Sequence, residues 1–225
     1  MLKFTVKISM LEIYMEKVKD LIDTSKVNLS IREDPVKGIY IENLSEHYVT
    51  CDDEVMGYLK IGNEGRSVAS TNMNDTSSRS HSIVIITIHQ NNINDLSAKT
   101  GKLYLVDLAG SEKISKTGAE GLTLDEGKSI NKSLTTLGMV INALTDGKST
   151  HVPYRDSKLT RVLQESIGGN SKTSLIITCS PSIYNEAETI STLRFGLRAK
   201  VNKLYLIRYF QCYYLCNFIC IEYQK

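Results

Sequence analysis

The sequence predicts an α/β fold in which a mixed central sheet carries helices on both faces. Short runs of β-branched and apolar residues alternate along the chain with longer segments whose apolar residues recur at helical spacing. The 225 residues, 41% of them hydrophobic and 23% charged, can bury one sizeable core. This composition is ordinary for a globular protein and excludes the disordered and fibrous classes.

Strands are predicted where alternating or continuous apolar runs have the length of a strand. These runs are residues 4–14, 82–89, 102–107 and 174–180. Shorter extended pieces are expected between residues 28 and 50, where Pro35 and Gly38 interrupt the pattern. The second and third runs are separated by a polar loop, and their apolar character predicts two central strands.

Helices are predicted where apolar residues recur every three or four positions. The predicted helices are 16–23, 52–69, 124–144, 154–167 and 185–200. Residues 52–54 are all acidic, which is the start that the helix dipole favours. Pro153 precedes the fourth helix and Gly168 follows it, as is typical of helix boundaries.

Charge and cysteine content narrow the expected cellular setting. With 27 basic and 25 acidic side chains, the net charge is +2, so a polyanionic partner would have to be met by a local patch. We expect no nucleic-acid partner. Cys51 and Cys179 are the cysteines before residue 212, and the first residues lead into a predicted strand instead of a secretion signal. A reducing, cytoplasmic setting is therefore predicted.

One predicted strand runs directly into an Asp-x-x-Gly sequence formed by Asp107 and Gly110. Nucleotide hydrolases place this sequence at a strand end, where the carboxylate holds Mg²⁺, usually through water, and the glycine lets a backbone N–H approach the γ-phosphate. Taken alone, the pattern is more often an ordinary strand-end turn.

Segment 74–81, NDTSSRSH, is dense in hydroxyl groups just before another predicted strand. Hydroxyls suit Mg²⁺ and phosphate oxygens, and Arg79 can pair with a carboxylate through two hydrogen bonds. Two alternatives remain for this segment: a polar loop with Ser/Thr turns, and a Ser–His nucleophile pair without an evident orienting acid.

Four segments resemble the signatures of kinesin motor domains, in the family's order: SSRSH, LVDLAGSE, LDEGKSINKSLTTLGMVINAL and VPYRDSKLTRVLQESIGGN. The resemblance covers residues 3–203 and is strongest to conventional kinesin heavy chains. It implies the kinesin-like P-loop NTPase fold and a microtubule-stimulated ATPase that uses ATP and Mg²⁺ to move along microtubules. The implied location is the microtubule cytoskeleton.

The resemblance also implies roles for individual residues. Segment 74–81 is similar to switch I and 107–112 to switch II, and Arg79 and Glu112 would form a salt bridge when γ-phosphate is present. The residues implied in catalysis are Ser77, Ser78, Arg79, Asp107, Gly110 and Glu112. Nucleotide contacts are implied for Asn74, Ser77, Ser78, Asp107 and Gly110, and Mg²⁺ ligation, partly through water, for Ser78 and Asp107. Residues 131–133 would begin the switch II helix.

Segment 147–172 carries five basic side chains against two acidic ones, as suits an acidic partner surface such as a microtubule. Taken alone, such an excess more often marks a solvated helix face. The resemblance implies that this segment and the loop after switch II contact tubulin. The implied contact residues are Lys113, Lys116, Tyr154, Arg155, Lys158 and Arg161.

The sequence departs from the family because no G-x-x-x-x-G-K-[S/T] phosphate-binding loop occurs in it. We expect a complete motor to carry this loop, with the first strands of the sheet, in an N-terminal portion absent here. This chain alone is expected not to hydrolyse ATP. The alternative hypothesis is a nucleotide-insensitive tubulin-binding remnant. A GTPase-like switch protein is a third class, but it would not be expected to contain SSRSH or YRDSKLTR.

Residues 204–225 form a hydrophobic tail with five Tyr and three Cys, in contrast to the motor-like segment 1–203. The cysteines recur every four residues without the close pairs typical of metal sites. Polar residues interrupt any membrane span, so no membrane partner is expected. We expect a tail that is not native to the motor, such as translated non-coding sequence, and assign it no function. A homodimer would need segments outside this sequence.

Overall fold

The structure is a computed structural model of the whole chain. It describes residues 1–36, 38–70, 79–110, 122–146, 148–169, 171–201, 205–209 and 218–224.

The strands within these ranges are β1 (Leu2–Tyr14), β2 (Lys17–Asp20), β3 (Ile31–Asp34), β4 (Gly38–Ile41), β5 (His47–Val49), β6 (His81–Asn92), β7 (Ala98–Asp107), β8 (Ser171–Thr178), β9 (Tyr205–Tyr209) and β10 (Phe218–Gln224). The α-helices are α1 (Asp52–Ser70), α2 (Leu122–Thr145), α3 (Lys158–Val162), α4 (Gln164–Gly168) and α5 (Glu186–Val201). Single 3₁₀ turns occupy Tyr154–Asp156 and Ile183–Asn185. The predicted strands and the helices α1, α2 and α5 are thereby confirmed.

The main sheet has the strand order β2-β1-β6-β7-β10-β8-β9, and β5 pairs with β1 beside this path. The β8–β9 pair is parallel, whereas β1, β6, β7 and β10 pair in antiparallel fashion with their neighbours. This mixture confirms the predicted sheet type. Strands β3 and β4 form a separate antiparallel hairpin.

Hydrophobic cores lie on opposite faces of the main sheet, because successive side chains of a strand point to opposite sides. In β1, Ile8 and Met10 pack on the face covered by α1. Leu11 and Ile13 point the other way, into a larger core that also contains apolar residues of α2, α3, α4 and α5. The predicted arrangement, with helices on both faces, is confirmed.

The helix predicted at 16–23 is wrong, because residues Lys17–Asp20 form strand β2 instead. Met15 and Glu16 have φ values of 48° and 59°, and positive φ at both central residues is typical of the tight type I′ hairpin turn. This turn brings β2 back along β1, with Tyr14 opposite Lys17. The backbone hydrogen bonds of the hairpin therefore override a short helical apolar spacing that is ambiguous by itself.

The helix predicted at 154–167 is also wrong as a continuous element, because it breaks into a 3₁₀ turn and the short helices α3 and α4. Ser157 has extended backbone angles, φ −143° and ψ 147°, and its side chain accepts a hydrogen bond from the Leu159 backbone N–H. Serine favours such a cap over a helix interior, since its hydroxyl bonds nearby backbone. Leu159 of α3 and Leu163, which lies between α3 and α4, are both buried in the larger core.

The described part of the tail contributes β9 and β10 to the main sheet. The division of the chain into 1–203 and 204–225 stays a prediction. Among the described helices, none is both long and apolar enough to cross a membrane.

Candidate functional site

The start of β6 and the end of β7 lie side by side at one end of these two neighbouring strands, where Ser82 is opposite Asp107. Arg79 and Ser80 lead into β6, and the loop through Gly110 leads out of β7. The antiparallel pairing therefore brings His81, the last residue of the first predicted segment, close to Asp107, the first residue of the second. We call Arg66, Ser80, His81 and Asp107 at this end the strand-end site.

Arg66, near the end of α1, contacts Asp107 through a short ion pair. Its Nη1 donates to Asp107 Oδ2 at 2.7 Å, and its Nη2 donates to the backbone carbonyl of Ser80 at 2.9 Å. Arg66 Nε also lies 3.9 Å from Glu12 Oε1, the atom to which the Ser80 hydroxyl donates at 2.6 Å. The guanidinium thus joins α1, β1, β6 and β7.

Arg66 and Glu12 belong to this buried cluster, and sequence reasoning did not single them out. Their side chains are 13% and 6% exposed. A buried carboxylate is strongly disfavoured unless it is paired. Glu12 in the apolar run 4–14 was therefore the signal that a cation would lie against this strand.

His81 connects the strand-end site to α2. Its Nδ1 accepts a hydrogen bond from the Ala109 backbone N–H at 2.9 Å, and its Nε2 lies 2.7 Å from Ser133 Oγ. An acceptor at Nδ1 in a neutral ring leaves the proton on Nε2, which donates to Ser133. Burial, with a smaller contribution from the charge of Arg66, lowers the pKa of His81 to about 4.

This tautomer bears on the hypothesis of a Ser–His nucleophile pair. A base for a serine hydroxyl needs an unprotonated ring nitrogen facing that hydroxyl. His81 presents N–H to Ser133, and both residues are almost completely buried. The pair therefore serves as a structural link between the loop after β7 and α2, which sequence reasoning did not anticipate.

Several predicted site residues lie outside the described ranges: Asn74, Ser77, Ser78, Glu112, Lys113 and Lys116. The Arg79–Glu112 salt bridge and the full Mg²⁺ ligand set therefore stay predictions. Arg79 is half-buried and lies two residues before the start of β6. Among the described residues, no group of three or more His, Cys, Asp or Glu side chains could hold a metal ion.

The predicted contact residues Tyr154, Arg155, Lys158 and Arg161 lie close together in the turn before α3 and in α3 itself, and we call them the basic surface. Arg155 and Arg161 share one acidic partner, Glu33 of β3, at 3.4 Å and 2.6 Å. Arg155 is 77% exposed, whereas Arg161 is 14% exposed. Arg161 thus ties α3 to the β3–β4 hairpin, while Arg155 projects into solvent.

Acidic side chains contact the basic surface and offset part of its positive charge, which the sequence did not indicate. The hydrogen bond from Arg161 and its charge hold the pKa of Glu33 below its usual range. The Lys158 backbone N–H donates to Glu16 at 2.7 Å, and Glu165 accepts from the Ile39 backbone N–H at 3.0 Å. Burial raises the pKa of the Tyr154 hydroxyl.

Comparison with known proteins identifies the family. The model of the kinesin motor domain family matches residues 1–201. The kinesin heavy chain of Syncephalastrum racemosum is 68% identical over 199 residues, which are 88% of this chain and 21% of that protein. Kinesin-related protein 3 of Dictyostelium discoideum is 66% identical over 88% of this chain and 17% of its own length.

Solved structures give the same result. A structure described as a fast kinesin has a TM-score of 0.79 and 56% identity, over 88% of this chain and 56% of its own. A KIF14 dimer with AMP-PNP in complex with a microtubule has a TM-score of 0.80 and 41% identity, over 92% of this chain and 60% of its own. The chain spans about a fifth of the length of the curated relatives it matches. This protein belongs to the kinesin motor domain family.

Proposed function

We propose that this chain is the part of a microtubule-based motor domain that responds to nucleotide and contacts the track. The observation that carries the proposal is the pairing of Ser82 with Asp107. It places the end of the hydroxyl-rich segment and the start of the Asp-x-x-Gly sequence at the same end of the β6–β7 strand pair. Two loops at one end can contact the same phosphate group. The KIF14 relative is bound to a microtubule and AMP-PNP, which supports both partners.

The proposed cofactors are ATP and Mg²⁺, and the residues present fit one side of such a site. Asp107 supplies a carboxylate that is 30% exposed at the strand end. Ser78 would be the second Mg²⁺ ligand, partly through water. Bound Mg²⁺ would neutralise charge on the β- and γ-phosphates. The sequence holds no G-x-x-x-x-G-K-[S/T] cradle for the other side, so we propose ATP turnover only for the complete motor.

The proposed coupling runs through residues of this chain alone. Arg66 holds Asp107, and His81 holds the backbone of Ala109 and the hydroxyl of Ser133. A shift of the loop after β7 toward a phosphate would therefore move a hydrogen-bonded partner of α2. This is a direct mechanical link between the proposed switch loop and the proposed switch II helix.

The proposed track contacts are the basic surface together with Lys113 and Lys116. Within the basic surface, Arg155 is the most exposed cation, at 77%, whereas Lys158 is half-buried and Arg161 is largely buried against Glu33. Exposed cations steer and orient binding to an acidic surface. We therefore assign Arg155 to direct contact, and Arg161 to positioning the β3–β4 hairpin beside it.

A nucleotide-insensitive tubulin-binding remnant is the second candidate function. The Arg66–Asp107 ion pair at 2.7 Å favours it, because the guanidinium occupies a carboxylate oxygen that Mg²⁺ coordination would use. In either case we propose a cytoplasmic location on microtubules.

Microtubule co-sedimentation of the full chain, without nucleotide, with ATP and with AMP-PNP, tests these proposals. Arg155→Ala should weaken binding about fivefold, which corresponds to roughly 1 kcal/mol for an exposed charge contact. Lys60→Ala is the matched control, since Lys60 is an exposed cation on α1, on the opposite face of the sheet.

The outcomes of this experiment discriminate unequally between the two candidates. Binding that changes with nucleotide supports the switch function and contradicts the remnant. Binding that ignores nucleotide is the result expected both of the remnant and of a motor segment without its phosphate-binding loop. A chain that does not pellet with microtubules contradicts both candidates. Equal losses for Arg155→Ala and Lys60→Ala would contradict the assignment of the basic surface.

A further inference from the structure

A cavity of about 530 Å³ lies between the β3–β4 hairpin and the face of the main sheet that holds the larger core. Side chains of β1, β6 and β7 form its floor, and residues of β4 and of the loop after β4 form its wall. Small-molecule sites in proteins have volumes of about 300–1,000 Å³. Thr87 in the floor is five residues along β6 from Ser82, a distance of about 17 Å in a strand. The cavity is therefore separate from the strand-end site.

The floor carries a row of three polar side chains that crosses three neighbouring strands. Lys7 of β1 lies opposite Thr87 of β6, and Thr87 lies opposite Lys102 of β7. Directly opposed residues of antiparallel strands share one face of the sheet, with Cβ atoms about 4.5–5.5 Å apart. All three residues line the cavity. The hydroxyl of Thr87 is therefore flanked by a lysine on either side.

The lining of the cavity carries more positive than negative charge. It includes two lysines, Lys7 and Lys102, against one carboxylate, Glu46, which leaves an excess of one positive charge. Lys7 is held in place, because its Nζ donates to Glu46 Oε2 at 2.8 Å and lies 5.0 Å from the centre of the Tyr48 ring. An ammonium group has three donors, so this bond leaves Lys7 able to donate to a ligand as well. Concave sites lined by one sign of charge attract ligands of the opposite sign.

The wall of the cavity is apolar and is anchored to the body of the protein. Ile39, Ile41 and Leu44 line it. Ile39 is 5% exposed, and its backbone N–H donates to Glu165 at 3.0 Å. Ile41 and Leu44 pack against the larger core. A preformed cavity with apolar walls and a few convergent polar groups suits a ligand that has an apolar body and one charged group.

One end of the cavity opens to solvent. Val36 and Tyr40 line it and are 84% and 37% exposed, respectively. A small molecule can therefore enter between the hairpin and the sheet while the cores on both faces stay intact.

We propose that this cavity binds a small amphiphilic anion, an aromatic or short aliphatic carboxylate. The carboxylate would accept hydrogen bonds from Lys7, Thr87 and Lys102, and the apolar body would lie against Ile39 and Ile41. Because the wall belongs to the β3–β4 hairpin, a bound ligand adds contacts between the hairpin and the main sheet.

Titration of the ¹⁵N-labelled full chain with 4-phenylbutyrate, followed by NMR, tests the site. We expect saturable shifts of the backbone amides at 7, 87, 102 and 39–41, and unchanged amides at 82 and 107. The neutral analogue 4-phenylbutyramide has the same apolar body without the charge. It should bind about tenfold more weakly, because it loses the charge-assisted hydrogen bonds.

A pair of lysine variants tests the floor. Lys102→Met removes the charge and keeps the length of the side chain, and it should weaken 4-phenylbutyrate about tenfold. Lys99→Met is the matched control. Lys99 is an exposed cation of the same strand, opposite Gln90, and its side chain points to the other face of the sheet.

Absence of saturable shifts at 7, 87 and 102 up to about 10 mM 4-phenylbutyrate would overturn the proposal. Equal affinities for the carboxylate and the amide, or equal losses in the two variants, would overturn it as well. The comparison of carboxylate with amide uses the unchanged chain, so it decides the matter even where Lys102→Met does not fold. Neither test uses nucleotide or microtubules, so failure here leaves the proposed motor function untouched, and a negative co-sedimentation result leaves this cavity untouched.

Discussion

At the scale of single residues, His81 is the contact through which the loop after β7 reaches α2. The neutral ring uses both nitrogens, one as acceptor from Ala109 and one as donor to Ser133. Protonation would replace the acceptor with a second N–H that faces the donor of Ala109. The arrangement therefore depends on an uncharged imidazole, which burial enforces.

This dependence predicts a loss of stability in mild acid. The unfolded chain protonates His81 below about pH 6.5, whereas the folded chain holds its pKa at about 4. The unfolded state binds more protons between these values, so the free energy of unfolding falls as the pH is lowered through this window. Between pH 7 and pH 5 the contribution of His81 amounts to about 2 kcal/mol.

Urea unfolding followed by circular dichroism at the two pH values measures this loss. His81→Gln cannot titrate in this range, so its stability should change less between pH 7 and pH 5 than that of the unchanged chain. If both proteins lose the same free energy, His81 is not the group responsible.

At the scale of elements, two glycines occupy different backbone conformations: Gly38 has a positive φ, and Gly57 lies inside a helix. Gly38 begins β4 with φ at +72°, and a Cβ there would collide with the Glu165 carboxylate that accepts from Ile39. Gly57 lies inside α1, and a Cβ there would meet nothing within 4 Å. The same substitution should therefore have opposite effects at the two positions.

Gly38→Ala should lower the free energy of unfolding by more than about 1 kcal/mol, since alanine is strained at positive φ and displaces a hydrogen-bonded carboxylate. Gly57→Ala should raise it by about 0.5–1 kcal/mol, because alanine is the better helix former. Urea midpoints of the two variants measure both effects. A shift of the same sign in the two variants would contradict this account.

At two places a local sequence pattern predicted the wrong secondary structure. The segment 16–23 has a helical apolar spacing, yet a two-residue turn at Met15 and Glu16 turns it into a strand. In 154–167 the spacing is helical as well, but Ser157 caps a new helix and breaks the segment. Short apolar runs carry too little periodicity to decide against hairpin hydrogen bonds or a strong cap.

At the scale of the whole molecule, stability should be uneven. Strands β6 and β7 are central in the main sheet and bury residues in its cores. The β3–β4 hairpin has just two strands and is tied to the body by Glu33 and Ile39. A two-stranded hairpin is marginal by itself, so its backbone should open before the central strands do.

Amide hydrogen exchange with mass spectrometry tests this order. The backbone amides of residues 31–41 should exchange faster than those of 83–88 and 102–106. Glu33→Gln should accelerate amide exchange in the hairpin and leave the exchange rates of the central strands unchanged. Equal protection of the hairpin and β6 would show that the molecule opens as one unit.

The sequence by itself determined the fold class, most of the strands, three of the helices, the Asp107–Gly110 strand end and the basic segment around Arg155. These features depend on local periodicity and on residue types at fixed spacing. The tertiary structure alone decided which distant residues are partners. Arg66 meets Asp107 across 41 positions, His81 meets Ser133 across 52, and Arg161 meets Glu33 across 128. Such pairs form when both sheet faces are packed, and no local pattern encodes that packing.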